Sequence, residues 1–223
     1  MALPVLIFFA AFANKQDSDF FREQALKPVR DDSFAQKFCP QIKAHPQYGS
    51  PYRMLYRLGI DNSGGFYLAC HPVYEKEENP HEGFLPLLSR LVYTGGLSLQ
   101  KIIFGPEDVE LIEVRINQKG EIYHIGYEDA ENYNPTSFSV KHRPLTLLGG
   151  KPPLCFGIRS WNHMVYPLPA KDCRDNTIKV EYFSEGLWKK YRMFKEREGF
   201  LRKSRRFAYP WEPYTVIKEE MTQ

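Results

Sequence analysis

The chain has 223 residues, of which 43% are hydrophobic and 15% aromatic, and its formal net charge is +3. This content is enough for a packed core, which excludes an intrinsically disordered chain, and the many Tyr and Phe residues favour β-strands. One large domain fits the length, because no Gly/Ser linker or low-complexity stretch divides the sequence.

Residues 1–13 form an apolar leader that ends in Ala11-Phe12-Ala13, and the polar Asn14 follows. A short apolar run with a small-x-small end is typical of an export signal peptide, and this run is too short to cross a bilayer as a helix. The leader therefore predicts an exported or secreted protein. The alternative is a first strand buried in the core.

Residues 14–51 are polar and are interrupted by Pro28, Pro40, Pro46 and Pro51. Because proline breaks helices and central strands, we expect a long, extended N-terminal arm, with a short helix only over residues 17–26.

The predicted β-domain covers residues 52–183. Apolar runs of strand length at 52–60, 66–74, 87–93 and 99–104 are separated by turn signals. Residues 109–116 and 121–127 alternate apolar and polar side chains around Asn117-Gln-Lys-Gly120, which predicts a β-hairpin. Further strands are expected at 153–158, 164–168 and 177–183. The fold class that this pattern favours is all-β, and we predict a β-sandwich.

Residues 184–223 are predicted to form one basic helix and an aromatic tail. Ser184 is a suitable N-cap, and apolar residues follow it at roughly helical spacing. Residues 187–206 hold nine basic and two acidic residues, so this segment carries +7 and the rest of the chain −4. Within it and just beyond, the binding residues that we predict are Arg202, Lys203, Arg205, Arg206 and Trp211.

Basic side chains interleaved with aromatic rings suit an anionic lipid or glycan surface, or a protein assembly. The alternative is that the rings pack inward and the Lys and Arg stems cover them. Nucleic acid is not the expected partner, because the segment lacks a helix-turn-helix, a zinc finger or a ribonucleoprotein motif.

The four cysteines, Cys39, Cys70, Cys155 and Cys173, lack C-x-x-C spacing and are therefore unsuited to zinc. Behind an export signal they predict two disulfides. We favour Cys39–Cys70 and Cys155–Cys173, because each pair encloses a modest loop. In a reducing compartment the same residues would be buried thiols.

Several enzyme classes lack their signatures in this sequence. There is no P-loop, no G-x-G-x-x-G, no G-x-S-x-G and no H-E-x-x-H. This excludes the usual forms of nucleotide hydrolysis, dinucleotide chemistry, serine hydrolysis and zincin proteolysis, and no catalytic residues are assigned.

Acids and a histidine mark two places in the predicted sandwich. Asp108-Val-Glu110 opens a predicted strand, and Ser160-Trp-Asn-His163 precedes an aromatic-Pro pair. Upstream, residues 66–80 read as an aromatic strand that ends in acids and a proline. Residues 66–167 thus resemble the necrosis- and ethylene-inducing peptide-like proteins and their vacuolar-sorting relatives, which are β-sandwiches with a D-W-E strand, a hairpin and a His-containing turn.

The sequence departs from that family at the positions most tied to toxicity. Val109 stands at the family's Trp, and Gly105 and Glu107 stand at the histidines that precede its Asp. The resemblance therefore does not imply cytolysis.

What the resemblance does imply is a divalent cation site. Hard oxygen ligands from Asp108, Glu110 and an upstream acid, Glu77 or Glu75, suit Ca²⁺ or Mg²⁺, with His163 nearby. The alternative is that these acids are solvated side chains at strand ends.

The sequence therefore predicts an exported β-sandwich binding protein that recognises a glycan or a lipid head group through an acidic, metal-loaded rim. One alternative is an accessory subunit of a larger intracellular or organellar complex, which a large exposed apolar patch would favour. The other is a metal-dependent hydrolase that uses Asp108, Glu110 and His163. A concave polar pocket near Asp108 would favour binding or catalysis.

Overall fold

The protein is represented by a computed structural model, which describes residues 26–93, 107–173, 178–191, 193 and 215–216. Strands of the described chain form two sheets. The larger sheet has nine strands: β1 (Lys27–Arg30), β3 (Arg53–Ile60), β4 (Phe66–Tyr74), β5 (Asp108–Val109), β6 (Ile112–Ile116), β7 (Ile122–Glu131), β8 (Lys141–Gly150), β11 (Val180–Tyr182) and β12 (Thr215–Val216). The smaller sheet has three strands: β2 (Gln41–Lys43), β9 (Cys155–Ile158) and β10 (Val165–Leu168).

Helices are short and few in the described residues. They are α1 (Asp32–Phe38), α2 (Phe84–Tyr93), α3 (Glu185–Lys190) and a 3₁₀ turn at Ala170–Cys173. None of the described helices has the length and apolar character that crossing a membrane requires.

The two sheets face each other across one core. Met54, Leu58 and Val114 of the larger sheet share a single buried cluster with Ile42 and Phe156 of the smaller sheet. The main path of the larger sheet runs β12-β1-β3-β4-β6-β7-β8. The predicted all-β sandwich is therefore confirmed.

The predicted hairpin is confirmed as β6 and β7. The side chain of Asn117 caps its turn, because Oδ1 accepts hydrogen bonds from the backbone N–H of Lys119 at 2.9 Å and of Glu121 at 3.0 Å. Gly120 takes a φ of +76°, which the missing side chain makes possible. Local turn chemistry thus sets the register of these strands.

Both predicted disulfides are present. Cys39, after α1, bonds to Cys70 in the centre of β4, and Cys155 of β9 bonds to Cys173 of the 3₁₀ turn. The first bridge attaches the N-terminal segment to the larger sheet.

The prediction of an extended arm over residues 14–51 is wrong for residues 26–51, which are the part of it that the structure describes. Residues 26–51 contain β1, α1 and β2, and Val29, Phe38 and Ile42 are buried in the core. Asp31 caps α1 by accepting a hydrogen bond from Phe34 N at 2.8 Å. The prolines lie outside this helix, so they delimit it without breaking it.

The strand predicted at 87–93 is also wrong, because these residues belong to α2. A short apolar run does not distinguish a strand from a helix by periodicity, and leucine is a strong helix former. Pro86 lies in the first turn of α2, where a missing N–H does no harm. The strand predicted at 99–104 lies outside the described residues, and so does the leader.

Strand β8 was not predicted. Its sequence contains Pro144 and ends in Gly149-Gly150, which argue against a central strand. In the described chain β8 pairs with β7 alone, and such an edge position tolerates proline.

The C-terminal helix begins where predicted and ends earlier. Ser184 caps α3 by accepting from Leu187 N at 3.3 Å, and the helix ends at Lys190, short of the predicted end near 198. Trp188 packs with Leu55 and Val73 on the outer face of the larger sheet. Both faces of the central strands are therefore buried.

We predict that the disulfides stabilise the fold appreciably. Cys39 and Cys70 are 31 residues apart, so removing their bridge by Cys39→Ser and Cys70→Ser should lower the free energy of unfolding by about 3–4 kcal/mol. Urea denaturation measures this change. In addition, the intact mass should rise on reduction by one hydrogen per cysteine, and free thiols in protein purified without reductant would contradict the pairing.

Candidate functional site

The site is built at the end of a central strand of the larger sheet, where β4 ends and β5 begins. Tyr74 pairs with Asp108 and Val73 with Val109 in antiparallel register. Antiparallel pairing sets the end of one strand beside the start of the other, so the loop that follows Tyr74 meets Asp108 of β5 and Glu110 just after it.

Three carboxylates converge at this end of β4. One oxygen each of Glu77, Asp108 and Glu110 lies within 4.8 Å of the others. Glu110 is only 4% exposed. Carboxylates held together and partly buried repel one another, and a bound cation removes that repulsion. Two oxygen ligands of a single Ca²⁺ lie at most about 5 Å apart, so the spacing fits one ion.

Backbone contacts fix the position of Glu110. Its N–H donates to the carbonyl of Pro72 at 3.0 Å, and its own carbonyl accepts from Nδ1 of His71 at 3.1 Å. The His71 ring is buried against Phe183 and Trp188. His71 thus supports an acid of the cluster, a role that its place in the sequence did not indicate.

His163 lies beside the carboxylates and binds one of them. Its Nδ1 is 2.8 Å from Oδ2 of Asp108, and its Nε2 is 3.2 Å from the carbonyl oxygen of Tyr48. The ring stacks on Tyr74 with centroids 3.8 Å apart. Since both ring nitrogens face oxygen atoms, His163 orients Asp108, and its place among the metal ligands stays a prediction.

A left-handed turn presents His163. Its φ is +60°, an uncommon conformation for a residue with a side chain. Ser160 donates from Oγ to Oδ1 of Asn162 at 2.6 Å, and the carbonyl of Ser160 accepts from His163 N at 3.0 Å. These bonds hold the turn in its strained form.

A second pair of titratable residues supports the same turn. His142 of β8 contacts Glu128 of β7 through Nδ1 at 2.7 Å and Asn162 through Nε2 at 3.1 Å. Neither residue was singled out from the sequence, since each lies beside other charged residues on its strand.

A pocket of about 370 Å³ opens next to the carboxylates. Its wall combines aromatic rings, acids and small polar groups: Gln47, Tyr48, Gly49, Ser50, Tyr52, Tyr74, Glu75, Lys76, Glu78, Pro80, Trp161 and His163. Lys76 pairs with Glu78, and the hydroxyl of Tyr52 donates to Glu107. The wall thus contains two acids, Glu75 and Glu78, and the one lysine in it is paired with Glu78.

The charges of the cluster are felt by a neighbouring phenol. Burial raises the pKa of Tyr74 well above its ordinary value, and the negative charges of Glu110 and Asp108 raise it further. The smaller part of this rise in pKa reflects the negative charge of the two carboxylates, and the same charge attracts cations.

Tyr48 connects the pocket to its surroundings. Its hydroxyl is 2.9 Å from Nε2 of His81 and 2.8 Å from the hydroxyl of Tyr133, and its ring stacks on His45. Burial, followed by the hydrogen bond to Tyr48, raises the pKa of Tyr133. Tyr48 was not predicted, because its segment was assigned to an extended arm.

The structure brings together three of the four predicted metal ligands, Glu77, Asp108 and Glu110, and sets His163 against them. It distinguishes between the two upstream acids, because Glu77 joins the cluster and Glu75 lines the pocket. The predicted binding residues Arg202, Lys203, Arg205, Arg206 and Trp211 lie outside the described residues.

Comparisons with family models, with curated proteins and with solved structures find no match to this chain.

We predict that mild acid weakens the turn that carries Tyr48. Burial lowers the pKa of His45 from its ordinary value of 6.5, and its Nδ1 accepts from the N–H groups of Gln47 at 3.2 Å and Tyr48 at 3.3 Å. Because the folded pKa is the lower one, this contribution to stability is complete above about pH 6.5 and is lost as the pH falls below that value.

The matched variant is His45→Asn, whose side-chain oxygen can accept the same bonds and does not titrate. The melting temperature of the wild type should fall more steeply below pH 6.5 than that of the variant, and an NMR titration should give His45 a pKa under 6.5. Equal slopes in the two proteins would contradict this role.

Proposed function

We propose that this protein is an exported binding protein that recognises a glycan or a lipid head group through an acidic rim loaded with a divalent cation. The observation that carries the proposal is the convergence of Glu77, Asp108 and Glu110 to within 4.8 Å beside an aromatic-lined pocket.

The donor chemistry supports Ca²⁺ or Mg²⁺ as the cation. Both prefer carboxylate and carbonyl oxygen, and Ca²⁺ takes six to eight such ligands. Three carboxylates leave positions that water and ligand oxygens can take. A bound cation would supply attraction for hydroxyl or phosphate oxygens, and His163 would keep Asp108 in position for it.

The aromatic wall supports the second part of the proposal. Tyr52 is 48% exposed, and its ring offers an apolar face beside polar groups. Sugars and head groups present both apolar and hydrogen-bonding surface, which matches a wall of this composition.

Export is supported by the two disulfides. Disulfides persist in oxidising compartments and are rare in the cytosol. Together with the apolar leader at residues 1–13, they favour a secreted protein. The resemblance to the necrosis- and ethylene-inducing peptide-like family agrees with the sandwich fold and with acids on the strand that starts at Asp108.

The pocket favours binding over the two alternatives. For a hydrolase, His163 would have to exchange protons with a substrate, yet it is 3% exposed and both ring nitrogens already contact oxygen atoms. For an accessory subunit, the relevant observation is the exposed apolar side of α2, and this side is small for a protein interface.

The first test is thermal stability with and without cation. Because a ligand that binds only the native state stabilises it, Ca²⁺ or Mg²⁺ at a hundredfold excess over Kd should raise Tm by roughly 5–10 °C relative to chelator. Asp108→Asn and Glu77→Gln should each abolish most of that increase.

The matched control for this test is Glu75→Gln. Glu75 lies in the same loop, lines the pocket and is outside the carboxylate cluster. This variant should keep the cation response. If the wild type melts at one temperature in Ca²⁺, Mg²⁺ and chelator, the cation site is refuted.

The second test is binding to immobilised glycans and lipid head groups. Binding should require the cation, and Tyr52→Ala should weaken it about tenfold because the stacking surface is lost. Tyr52→Phe keeps the ring and should bind nearly as the wild type does. If the protein still binds these ligands in the presence of chelator, ligand recognition does not depend on the cation.

A further inference from the structure

Helix α2 presents its polar side to the protein. Ser89 is 1% exposed, and Pro86 is buried with it. Arg90 donates from Nη1 to the carbonyls of Asn79 and His81, each at 2.7 Å. In most surface helices the side that faces the protein carries apolar residues such as leucine. In α2 that side carries a serine, a proline and an arginine.

The opposite side of α2 is apolar and exposed. Its side chains are Phe84 at 76%, Leu91 at 59%, Leu87 at 48%, Leu85 at 47% and Leu88 at 38% exposure. At 100° per residue, these five positions fall within an arc of roughly 160°. We refer to them as the α2 face.

The α2 face contains no charged side chain. The one charged residue in the sequence of α2 is Arg90, and it points to the loop carbonyls. Exposed apolar residues are ordinary when they are scattered, but five on one helix face indicate a contact surface.

The area of the α2 face argues against a protein partner. A ten-residue helix is about 15 Å long and about 10–12 Å wide, so its outer half covers on the order of 250 Å². A stable protein interface takes about 800 Å² from each partner. Insertion into lipid has no such minimum, because the acyl chains adapt to the side chains that enter them.

We propose that the α2 face docks this protein on a lipid surface by inserting Phe84, Leu85, Leu87, Leu88 and Leu91 at the boundary of head groups and acyl chains. Interfacial helices bind in this way through a Phe- and Leu-rich side. Since the face has no basic residue, docking does not require anionic lipid and is insensitive to salt.

The position of α2 connects this surface to the pocket. The carbonyls that Arg90 binds belong to the loop that contains Pro80, and Pro80 and Glu78 line the pocket. One loop therefore joins the helix that docks to the wall of the pocket. Docking itself does not depend on the cation, so the two proposals can fail separately.

The test uses the full chain with its disulfides intact and vesicles of pure phosphatidylcholine. The wild type should cosediment with them equally at low and high salt. Leu87→Gln combined with Leu91→Gln should lower the partition coefficient on the order of a hundredfold, since each leucine contributes about tenfold. Both residues are exposed, so folding should be unaffected.

Two controls make the result specific. Leu148→Gln removes a leucine that is 87% exposed on β8, outside the α2 face, and should bind as the wild type does. Phe84→Trp reports insertion directly, because its fluorescence should shift to the blue on vesicles, whereas Leu148→Trp should not shift.

Three results would overturn the proposal. One is a wild type that does not bind phosphatidylcholine vesicles. Another is binding confined to anionic vesicles and abolished by salt, which would assign it to the basic segment at residues 187–206. The last is a concentration-dependent dimer in solution that Leu87→Gln and Leu91→Gln dissociate, which would show that a second copy covers the face.

Discussion

The pairing of Tyr74 with Asp108 is the contact on which the candidate site depends. It joins the long central strand β4 to the two-residue strand β5, and 33 residues separate the two strands in the sequence. Through this pairing the acidic loop after Tyr74 meets Asp108, and the Tyr74 ring becomes the surface on which His163 stacks. A shift of one residue would turn Asp108 to the other side of the sheet.

The site gathers like charges in a place that water reaches poorly, which opposes folding. Glu110 is buried, and its backbone is stabilised by hydrogen bonds with the carbonyl of Pro72 and with the ring of His71. His163 compensates Asp108 directly. A sandwich held by two disulfides and a core shared between its sheets can tolerate such a local cost, as functional sites commonly require.

The loop at residues 75–83 serves two surfaces at once. Its first half supplies Glu77 to the carboxylates and Glu78 to the pocket, and its second half receives Arg90 of α2. Asn79 holds the middle of this loop by donating to the carbonyls of Pro135 and Ser137. One loop thus contributes to the carboxylate cluster and to the pocket wall, and it also accepts the hydrogen bonds of Arg90 from α2.

Sequence alone determined the features that depend on neighbouring residues. The Asn117 turn, the alternation on either side of it and the Ser184 cap are local, and each appeared where expected. The cysteine pairs also followed from short loop lengths, and Asp108 and Glu110 were identified as acids at a strand start. Only the tertiary structure selected Glu77 over Glu75 and made His163 a partner of Asp108. It also decided that the leucine run of α2 forms a helix with its apolar side outward. Those outcomes depend on strand register and on packing between residues far apart in the chain, and neither leaves a periodic trace in the sequence.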